Sequence, residues 1–290
     1  MEKMTGIMAG WLIMSATEAK KDYGFVVENG KIVEIVPNEK LLGKEGVIDA
    51  RDSIVCPTFT NTHTHFYETL AHGATEPNLS LKPLLEDFWW PVVENRQTLE
   101  TIRISTEYSA LESMTSGVTL CNDILEAPFA ERGKRLLTEE AVIRKAGMKA
   151  VLSLESNERI STENGYENLE ENKNFILKMR ETGNSDIRGT ICTHTTFSCS
   201  TPFLMKAAGM ARDMDEYIQI HMNEGPDEDK CCVDKYGMTT AELYKKIGFW
   251  EGGKAWANQC SCMEPVELNI MGQMGVGIST QPRSNALCNA

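Results

Sequence analysis

Histidines are concentrated in one short stretch, "PTFTNTHTHFYETLAHG" over residues 57–73, which holds three of the five in the chain. His63 and His65 are separated by a single threonine directly after an apolar, strand-like run. Because side chains alternate between the two faces of a strand, both imidazoles point the same way. Two neutral imidazoles on one face can bind one divalent cation through ring nitrogens. By itself, the pair is equally compatible with two hydrogen-bonded structural histidines.

Two further histidines stand at comparable places in the chain. His194 lies in "RGTICTHTTFSCS" and His221 in "YIQIHMNEG", so each is expected at the carboxyl end of a strand. Glu224 follows His221 by three residues, where a loop can return its carboxylate over the strand ends. His72 falls in a loop and is expected to have no ligand role. Four of the five histidines therefore end predicted strands, which favours a shared site.

The chain from residue 57 onward alternates between strand and helix patterns, which calls for a parallel sheet with helices outside. No Gly-rich dinucleotide loop follows a strand, so a (β/α)8 barrel of the TIM type is favoured over a doubly wound sheet. Its carboxyl strand ends form the floor of an active site. The seven predicted strands are residues 58–66, 118–123, 149–156, 188–200, 217–225, 254–260 and 276–282.

Two expectations complete the α/β fold. Residues 1–56 read as a small β unit, with a hairpin turn at Asn29-Gly30 and a pair of strands around Asp49 to Asp52. Residues 57–290 form the barrel, but the sequence stops at "RSNALCNA" just after the seventh strand. We therefore expect a barrel that lacks its last strand and helix.

Composition excludes several function classes. The 42 Asp and Glu residues against 29 Lys and Arg argue against binding nucleic acid or an anionic membrane surface. Nine cysteines, without a C-x-x-C pair, predict free thiols in a reducing compartment, and hence a cytoplasmic protein. "IMAGWLIMSA" over residues 7–16 resembles a short signal core, but the strand-turn-strand pattern after it favours a first β-strand.

The motifs "NTHTH", "THTTFSCS", "IHMNE" and "QPRSNALCN", in this order, resemble the metal-dependent amidohydrolase superfamily. The most similar branch is the aminohydrolases that include S-adenosylhomocysteine and methylthioadenosine deaminases, guanine deaminases and triazine hydrolases. "VIDARDSIVCPTFTNTHTH" is similar to the junction in that branch between a small β domain and the barrel. The resemblance covers essentially the whole chain, and it implies that the N-terminal β unit is half of a composite sandwich.

The resemblance also implies roles for single residues. His63, His65 and His221 would bind one Zn²⁺, or Fe²⁺, and His194 would contact the substrate beside the metal. Glu224 would take a proton from the attacking water and deliver it to the ring nitrogen or the leaving amine. Zinc would lower the pKa of its water to about 7 and so supply hydroxide at neutral pH.

The implied reaction is hydrolysis of a non-peptide C–N bond, most readily deamination of an amino-substituted purine, pyrimidine or nucleoside. Trp90, or its neighbour Trp89, would stack on such a flat heterocycle, and core packing is the alternative for at least one of them. The same site could instead hydrolyse an amide, a urea or a chloride. Relatives in this branch are often homodimers, so self-association is expected by analogy.

The sequence departs from the family pattern at two points. Gln259 stands where the family has a histidine after strand six that polarises the attacking water or the substrate. As a catalytic residue, glutamine could orient a water by hydrogen bonding, but it cannot hold a proton at neutral pH. The aspartate that ends strand eight, a metal ligand and base, has no counterpart here. Three alternatives follow: a truncated form of a longer enzyme, a short protein completed by another chain, or a degenerate relative that binds metal or ligand without catalysis.

Overall fold

The computed structural model describes residues 5–74, 79–183 and 185–287, so Cys288 lies outside the described residues. The chain divides into two compact units, one ending at Phe59 and one beginning at Thr60. Each unit has its own sheet system. None of the described helices combines the length and the apolar character that crossing a membrane requires.

The first unit is a five-stranded sheet. Its central strand β1 pairs antiparallel with β2 and β3 and parallel with β5, while β4 pairs with β3. The stretch weighed against a signal core is β1, so the strand prediction is confirmed. The bounds are Thr5–Ile13 (β1), Ala19–Lys21 (β2), Tyr23–Glu28 (β3), Lys31–Pro37 (β4) and Val47–Val55 (β5), with a 3₁₀-helix at Asn38–Lys40.

The predicted hairpin turn is confirmed. Asn29 and Gly30, between β3 and β4, both have positive φ, at 52° and 71°. Two successive residues of this kind make the two-residue turn whose twist matches the flanking strands. One face of the sheet then packs a small core of Met8, Val26, Val36 and Leu41.

The predicted pair of strands around Asp49 to Asp52 is wrong, because Val47–Val55 is one continuous strand. The polar run reads as a turn, yet β5 stays paired with β1 on both sides of it, across a shift in register between Ala9 and Trp11. Such a bulge absorbs extra residues without ending a strand. Asp49 and Arg51 meet as an exposed ion pair at 2.6 Å.

The second unit has the predicted alternation of parallel strands and helices. Its strands form two four-stranded series, β6-β7-β8-β9 and β10-β11-β12-β13. The series join where Ser156 and Thr193 form a parallel bridge. The bounds are Phe59–Thr64 (β6), Val118–Leu125 (β7), Lys149–Leu154 (β8), Ile187–Gly189 (β9), Ile191–Thr193 (β10), Ile218–Met222 (β11), Ala255–Gln259 (β12) and Gly277–Ser279 (β13).

These strands confirm all seven predicted ones, with the fourth broken into β9 and β10 at Thr190. The first and last strands also approach each other, since Thr62 Oγ1 of β6 lies 2.7 Å from Ser279 Oγ of β13. The described part of this unit is therefore a curved parallel wall of the TIM type.

The inside of the wall carries a layer of uncharged polar groups instead of the usual branched aliphatic side chains. Asn122 and Gln219 exchange two amide hydrogen bonds of 2.8 and 3.2 Å. Gln219 also donates to Ser153 Oγ, and Asn258 donates to Gln219 Oε1. This amide layer links β7, β8, β11 and β12 across the interior.

Helices cover the outside of the wall. Gly147, at φ 74°, ends α3, and Ser200 is the N-cap of α5, accepting from Phe203 N. The bounds are Leu81–Leu84 (α1), Leu99–Thr115 (α2), Arg135–Ala146 (α3), Thr162–Thr182 (α4), Thr201–Asp213 (α5), Pro226–Tyr236 (α6), Thr240–Lys246 (α7), Pro265–Met274 (α8) and Pro282–Leu287 (α9).

Pro91 lies inside a helical stretch of unusual form. The chain continues from α1 into a π-helix, Leu85–Val93, that contains Pro91, and then into a 3₁₀-helix, Glu94–Arg96. Proline removes one backbone N–H and crowds a regular α-helix. Here the chain winds more widely instead of ending, and π-turns of this kind are frequent at functional sites.

A buried ion pair joins α3 to α4. Arg135 is fully buried and donates to Glu171 Oε2 at 2.7 and 3.1 Å. It also donates to Asn168 Oδ1 and to the carbonyl of Ala127. Nearby, Arg132 pairs with Glu167 at 2.5 Å on the surface.

We predict that Arg135→Met lowers the free energy of unfolding by about 3–5 kcal/mol, because the Glu171 carboxylate then lies buried without its cation. The matched control is Arg132→Met, which removes an exposed pair and should cost about 0–1 kcal/mol. Chemical denaturation followed by circular dichroism measures both. Equal effects of the two substitutions would contradict the prediction.

Candidate metal centre and active site

Three imidazoles meet at the carboxyl ends of the strands. His63 lies in β6, His65 follows that strand by one residue, and His221 lies in β11. One potential ligand atom from each lies within 4.8 Å of the others. The ring centroid of His63 is 4.8 Å from those of both partners. The structure therefore brings together the three residues that the sequence proposes as ligands.

Hydrogen bonds fix which nitrogens face inward. His65 Nδ1 lies 2.8 Å from the carbonyl oxygen of Ile124, and since a carbonyl only accepts, Nδ1 carries the proton. His221 Nδ1 lies 2.8 Å from Glu155 Oε1, and the negative charge of this carboxylate favours a proton on the same ring position. The two Nε2 atoms, 3.2 Å apart, then present lone pairs to each other.

Such an arrangement needs positive charge between the rings. A bridging proton could serve two rings, whereas a divalent cation can also take the third, His63. Two nitrogens bound to one tetrahedral zinc lie about 3.4 Å apart, close to the observed spacing. Burial, together with the His65 and His221 rings, holds the pKa of His63 well below its ordinary value, so His63 is a neutral nitrogen donor. The donor set therefore fits a divalent metal.

Glu155 stands behind His221 as its orienting partner. Burial opposes its ionisation, but His194 and His221 outweigh burial and hold the pKa of Glu155 below the ordinary value. In turn, burial disfavours the imidazolium of His221, yet the adjacent carboxylate raises its pKa. A carboxylate that accepts from the far nitrogen of a ligating histidine fixes the tautomer and the ring orientation.

Glu155, His194 and His221 form a second group whose potential ligand atoms lie within 4.8 Å of one another. In this group, however, a shared cation would compete with the 2.8 Å contact between His221 Nδ1 and Glu155 Oε1. The three-histidine set leaves that contact intact. It is therefore the better cation site.

A cavity of about 530 Å³ opens above these side chains. Its lining includes His63, His65, Tyr67, Glu68, Trp89, Glu94, Glu155, His194, His221, Glu224, Gln259 and Gln281. Burial raises the pKa of Glu224 above its ordinary value. A larger groove of about 650 Å³ lies between α3 and α4 but contains none of the predicted site residues. The chemistry-bearing residues therefore share the smaller cavity.

His194 lies in this cavity beside His221, with ring centroids 5.6 Å apart. Its Nδ1 is 2.6 Å from Ser198 Oγ, and burial lowers the pKa of His194 to about 4. Trp90 approaches His194 edge-on at 6.1 Å and stacks with Arg159. Trp89, and not Trp90, lines the cavity.

Gln259 ends β12 in the cavity wall, with Nε2 at 3.5 Å from His63 Nε2. Its φ is 75°, and Cys260 and Asn223 also have positive φ at the ends of their strands. Non-glycine residues in this conformation are uncommon and cluster at functional sites. The ends of β11 and β12 therefore turn the chain toward the cavity.

The sequence reasoning missed Glu155 and Glu68. Glu155 directly follows β8, and an acidic residue at the end of a strand between the histidine-bearing strands was the available signal. Glu68 lies three residues after His65 and accepts from Trp89 Nε1 at 3.1 Å. The sequence held no comparable signal for Glu68, because its contact with Trp89 joins residues 21 positions apart.

A model of the amidohydrolase family matches residues 54–289. The chain belongs to the amidohydrolase family. Among curated relatives of this amidohydrolase, a 5'-deoxyadenosine deaminase of Methanocaldococcus jannaschii is 29% identical over 267 residues, which is 91% of this chain and 61% of the relative. One of Methanosarcina mazei is 30% identical over 260 residues, 90% of this chain and 57% of the relative. The chain thus spans about three fifths of the length of these relatives.

Solved structures resemble this amidohydrolase in fold. An adenosine deaminase from Xanthomonas campestris with bound zinc has a TM-score of 0.85 at 19% identity, covering 98% of this chain and 64% of that one. A guanine deaminase from C. acetobutylicum with bound guanine has the same TM-score and identity, covering 99% and 70%. A triazine hydrolase has a TM-score of 0.80 at 18% identity, covering 98% of this chain and 67% of that one. These likenesses support the TIM-type α/β fold.

We predict that His63→Ala and His221→Ala each reduce bound metal from about one equivalent to a small fraction, because each removes one of three nitrogen donors. His72→Ala is the control, since that ring contacts Tyr108 and lies outside the three-histidine set. Metal analysis by mass spectrometry after dialysis decides the matter. Full metal content in both site variants would rule out the ligand set.

We predict that Glu155→Gln weakens metal affinity by roughly 10- to 100-fold without abolishing binding, because His221 keeps its ring but loses its orienting carboxylate. Competition with a chelator of known affinity measures the change. An unchanged affinity would show that His221 is oriented by other contacts.

Proposed function

We propose that this chain catalyses hydrolytic deamination of an amino-substituted heterocycle, of the purine or purine nucleoside class. The observation that carries the proposal is the convergence of His63, His65 and His221 with Glu224 in one cavity. The names of the relatives, 5'-deoxyadenosine deaminase and guanine deaminase, support the substrate class.

The three histidines would hold one divalent cation, zinc or iron. When bound, such a cation supplies Lewis acidity, which makes hydroxide available at neutral pH. Bound zinc in the similar Xanthomonas structure supports zinc as the first choice. Glu155 would keep the His221 ring oriented toward the shared ion.

Glu224 would carry the proton. It takes a proton from the attacking water as the water oxygen bonds to the ring carbon, and it returns a proton to the leaving nitrogen as the C–N bond breaks. The products are the hydroxylated heterocycle and ammonia, so atoms and charge balance. His194, whose low pKa keeps it neutral, would orient the substrate by hydrogen bonding.

An aromatic wall would receive the ring. Trp89 lines the cavity and its indole N–H is held by Glu68, which fixes the plane of the side chain. Trp90 would act from behind, through its edge contact with His194. An indole face in this position suits stacking on a flat heterocycle.

The N-terminal sheet supports a further part of the proposal, that it is one half of a composite sandwich. Several large apolar side chains of this sheet stay exposed within the described residues, which suits a face that packs against further strands. They are Trp11, Ile32, Val33, Ile48 and Ile54. The completion of this sheet by further strands, from this chain or from a partner such as a second copy, stays a prediction. The cytoplasmic location also stays a prediction.

A second candidate function is metal-dependent ligand binding without turnover. It is favoured by Gln259, which stands where the family resemblance places a histidine and contacts His63 without a titratable proton. Ammonia release distinguishes the two functions. We expect turnover on at least one substrate from a panel of adenine-, guanine- and cytosine-type bases and nucleosides, including 5'-deoxyadenosine.

We predict that Glu224→Gln keeps the metal but lowers ammonia release by roughly 10²- to 10⁴-fold, the usual contribution of a general acid–base group. The amide retains the size of the side chain but cannot accept the proton. Metal content and steady-state ammonia release are measured on the same preparation. Stoichiometric metal with no turnover by the unsubstituted chain on the whole panel would favour the binding function.

A further inference from the structure

Glu228 is a buried carboxylate that contacts none of the proposed metal ligands. It lies at the third position of α6, with 1% of its surface exposed. One oxygen, Oε1, accepts from Thr196 N at 2.9 Å and from Thr196 Oγ1 at 3.0 Å. The other, Oε2, accepts from Asn223 N at 2.6 Å.

These contacts join the two loops that carry the non-metal chemistry. Thr196 lies two residues after His194, in the segment that follows β10. Asn223 lies directly after β11 and immediately before Glu224. Glu228 is therefore a tie between the segment that places the His194 ring and the segment that places the Glu224 carboxylate.

The Asn223 backbone needs such a tie. Its φ is 45°, in the left-handed region, where an asparagine is tolerated but not preferred over extended backbone. Three contacts hold it there: its N–H to Glu228, its carbonyl to Cys262 N, and its side-chain amide to Glu267. That conformation determines the direction in which the chain leaves β11, and hence the position of the Glu224 backbone.

The tie also requires a carboxylate. Three donors from two loops converge on its two oxygens, and a carboxylate accepts on both, whereas an amide offers a single acceptor oxygen. The described residues place no Lys or Arg among its hydrogen-bond partners, and burial raises the pKa of Glu228 to about 7. Burying this group therefore opposes folding at neutral pH, which argues for a role beyond stability.

We propose that Glu228 is a positioning residue that fixes His194 and Glu224 relative to each other by tying their two loops together. The inference rests on the proposed deamination for its kinetic consequence, but the tie itself can be tested without turnover. Active-site groups displaced by about 1 Å lose on the order of 10²-fold in rate.

The test compares two carboxylate-to-amide substitutions on the same helix. In Glu228→Gln, the amide keeps one acceptor oxygen, so it can serve Thr196 or Asn223 but not both. In the control, Asp229→Asn, both contacts go to a single oxygen, Oδ1, from Thr240 N and Thr240 Oγ1, so the amide can keep them.

We expect Glu228→Gln to retain stoichiometric metal, to speed amide hydrogen exchange in peptides covering residues 195–199 and 222–227, and to lower kcat about 10- to 100-fold with KM changed less than about threefold. Asp229→Asn should leave all four readouts as in the unsubstituted chain. If the unsubstituted chain shows no turnover, the deamination proposal fails, and the exchange measurement still decides the tie.

Unchanged exchange in both loops would overturn the tie, whatever the kinetics. Faster exchange with kcat unchanged, in a chain that does turn over, would overturn the positioning role. Failure of Glu228→Gln to fold, or loss of its metal, while Asp229→Asn remains folded and loaded would show a purely structural carboxylate, and would also overturn it.

Discussion

Two unprotonated ring nitrogens, Nε2 of His65 and Nε2 of His221, face each other at 3.2 Å, and this constraint dominates the design of the site. Each ring has its proton committed on the opposite side, to a backbone carbonyl in one case and to Glu155 in the other. Lone pairs at that distance repel unless positive charge lies between them. A proton could bridge only two rings, whereas a metal ion can also bind the third imidazole, His63.

Much of the surrounding structure can be understood as support for that meeting of rings. The chain after His65 is held where Phe66 N donates to Asp123 Oδ1 at 2.6 Å. The chain after His221 is held at Asn223 by carboxylates from two outer helices, Glu228 and Glu267. The outer helices thus do more than cover the wall, because their buried acids determine how the strand ends leave it.

The sequence could predict the elements and the histidines because both signals are local. Seven strands follow from apolar runs bounded by helical patterns, and the imidazoles mark the ends of three of them. The polar run from Asp49 to Asp52 gave the wrong answer because its pairing partner, β1, is distant in the sequence and tolerates a bulge. Local polarity resembled a turn where long-range pairing maintains a strand.

Contacts between distant segments could not be predicted from the sequence, because its signals are local. Glu155 acquires its role only when β8 and β11 bring it within 2.8 Å of His221, so its place at a strand end could mark it as a candidate but could not identify its partner. Trp89 and Trp90 are neighbours in the π-helix that contains Pro91, where Trp89 lines the cavity and Trp90 contacts His194. Helical periodicity assumes a regular α-helical turn and so gives no basis for choosing between the two residues.

The amide layer of Asn122, Gln219 and Asn258 has a consequence for how this scaffold can change over evolutionary time. Primary amides stay neutral at every physiological pH, and here they hydrogen-bond to one another. The base of the barrel therefore adds no net charge to the chemistry above it. Substitutions in the surrounding loops can change which ligand binds while the amide layer stays unchanged. Reactions can therefore diversify without repacking of the interior.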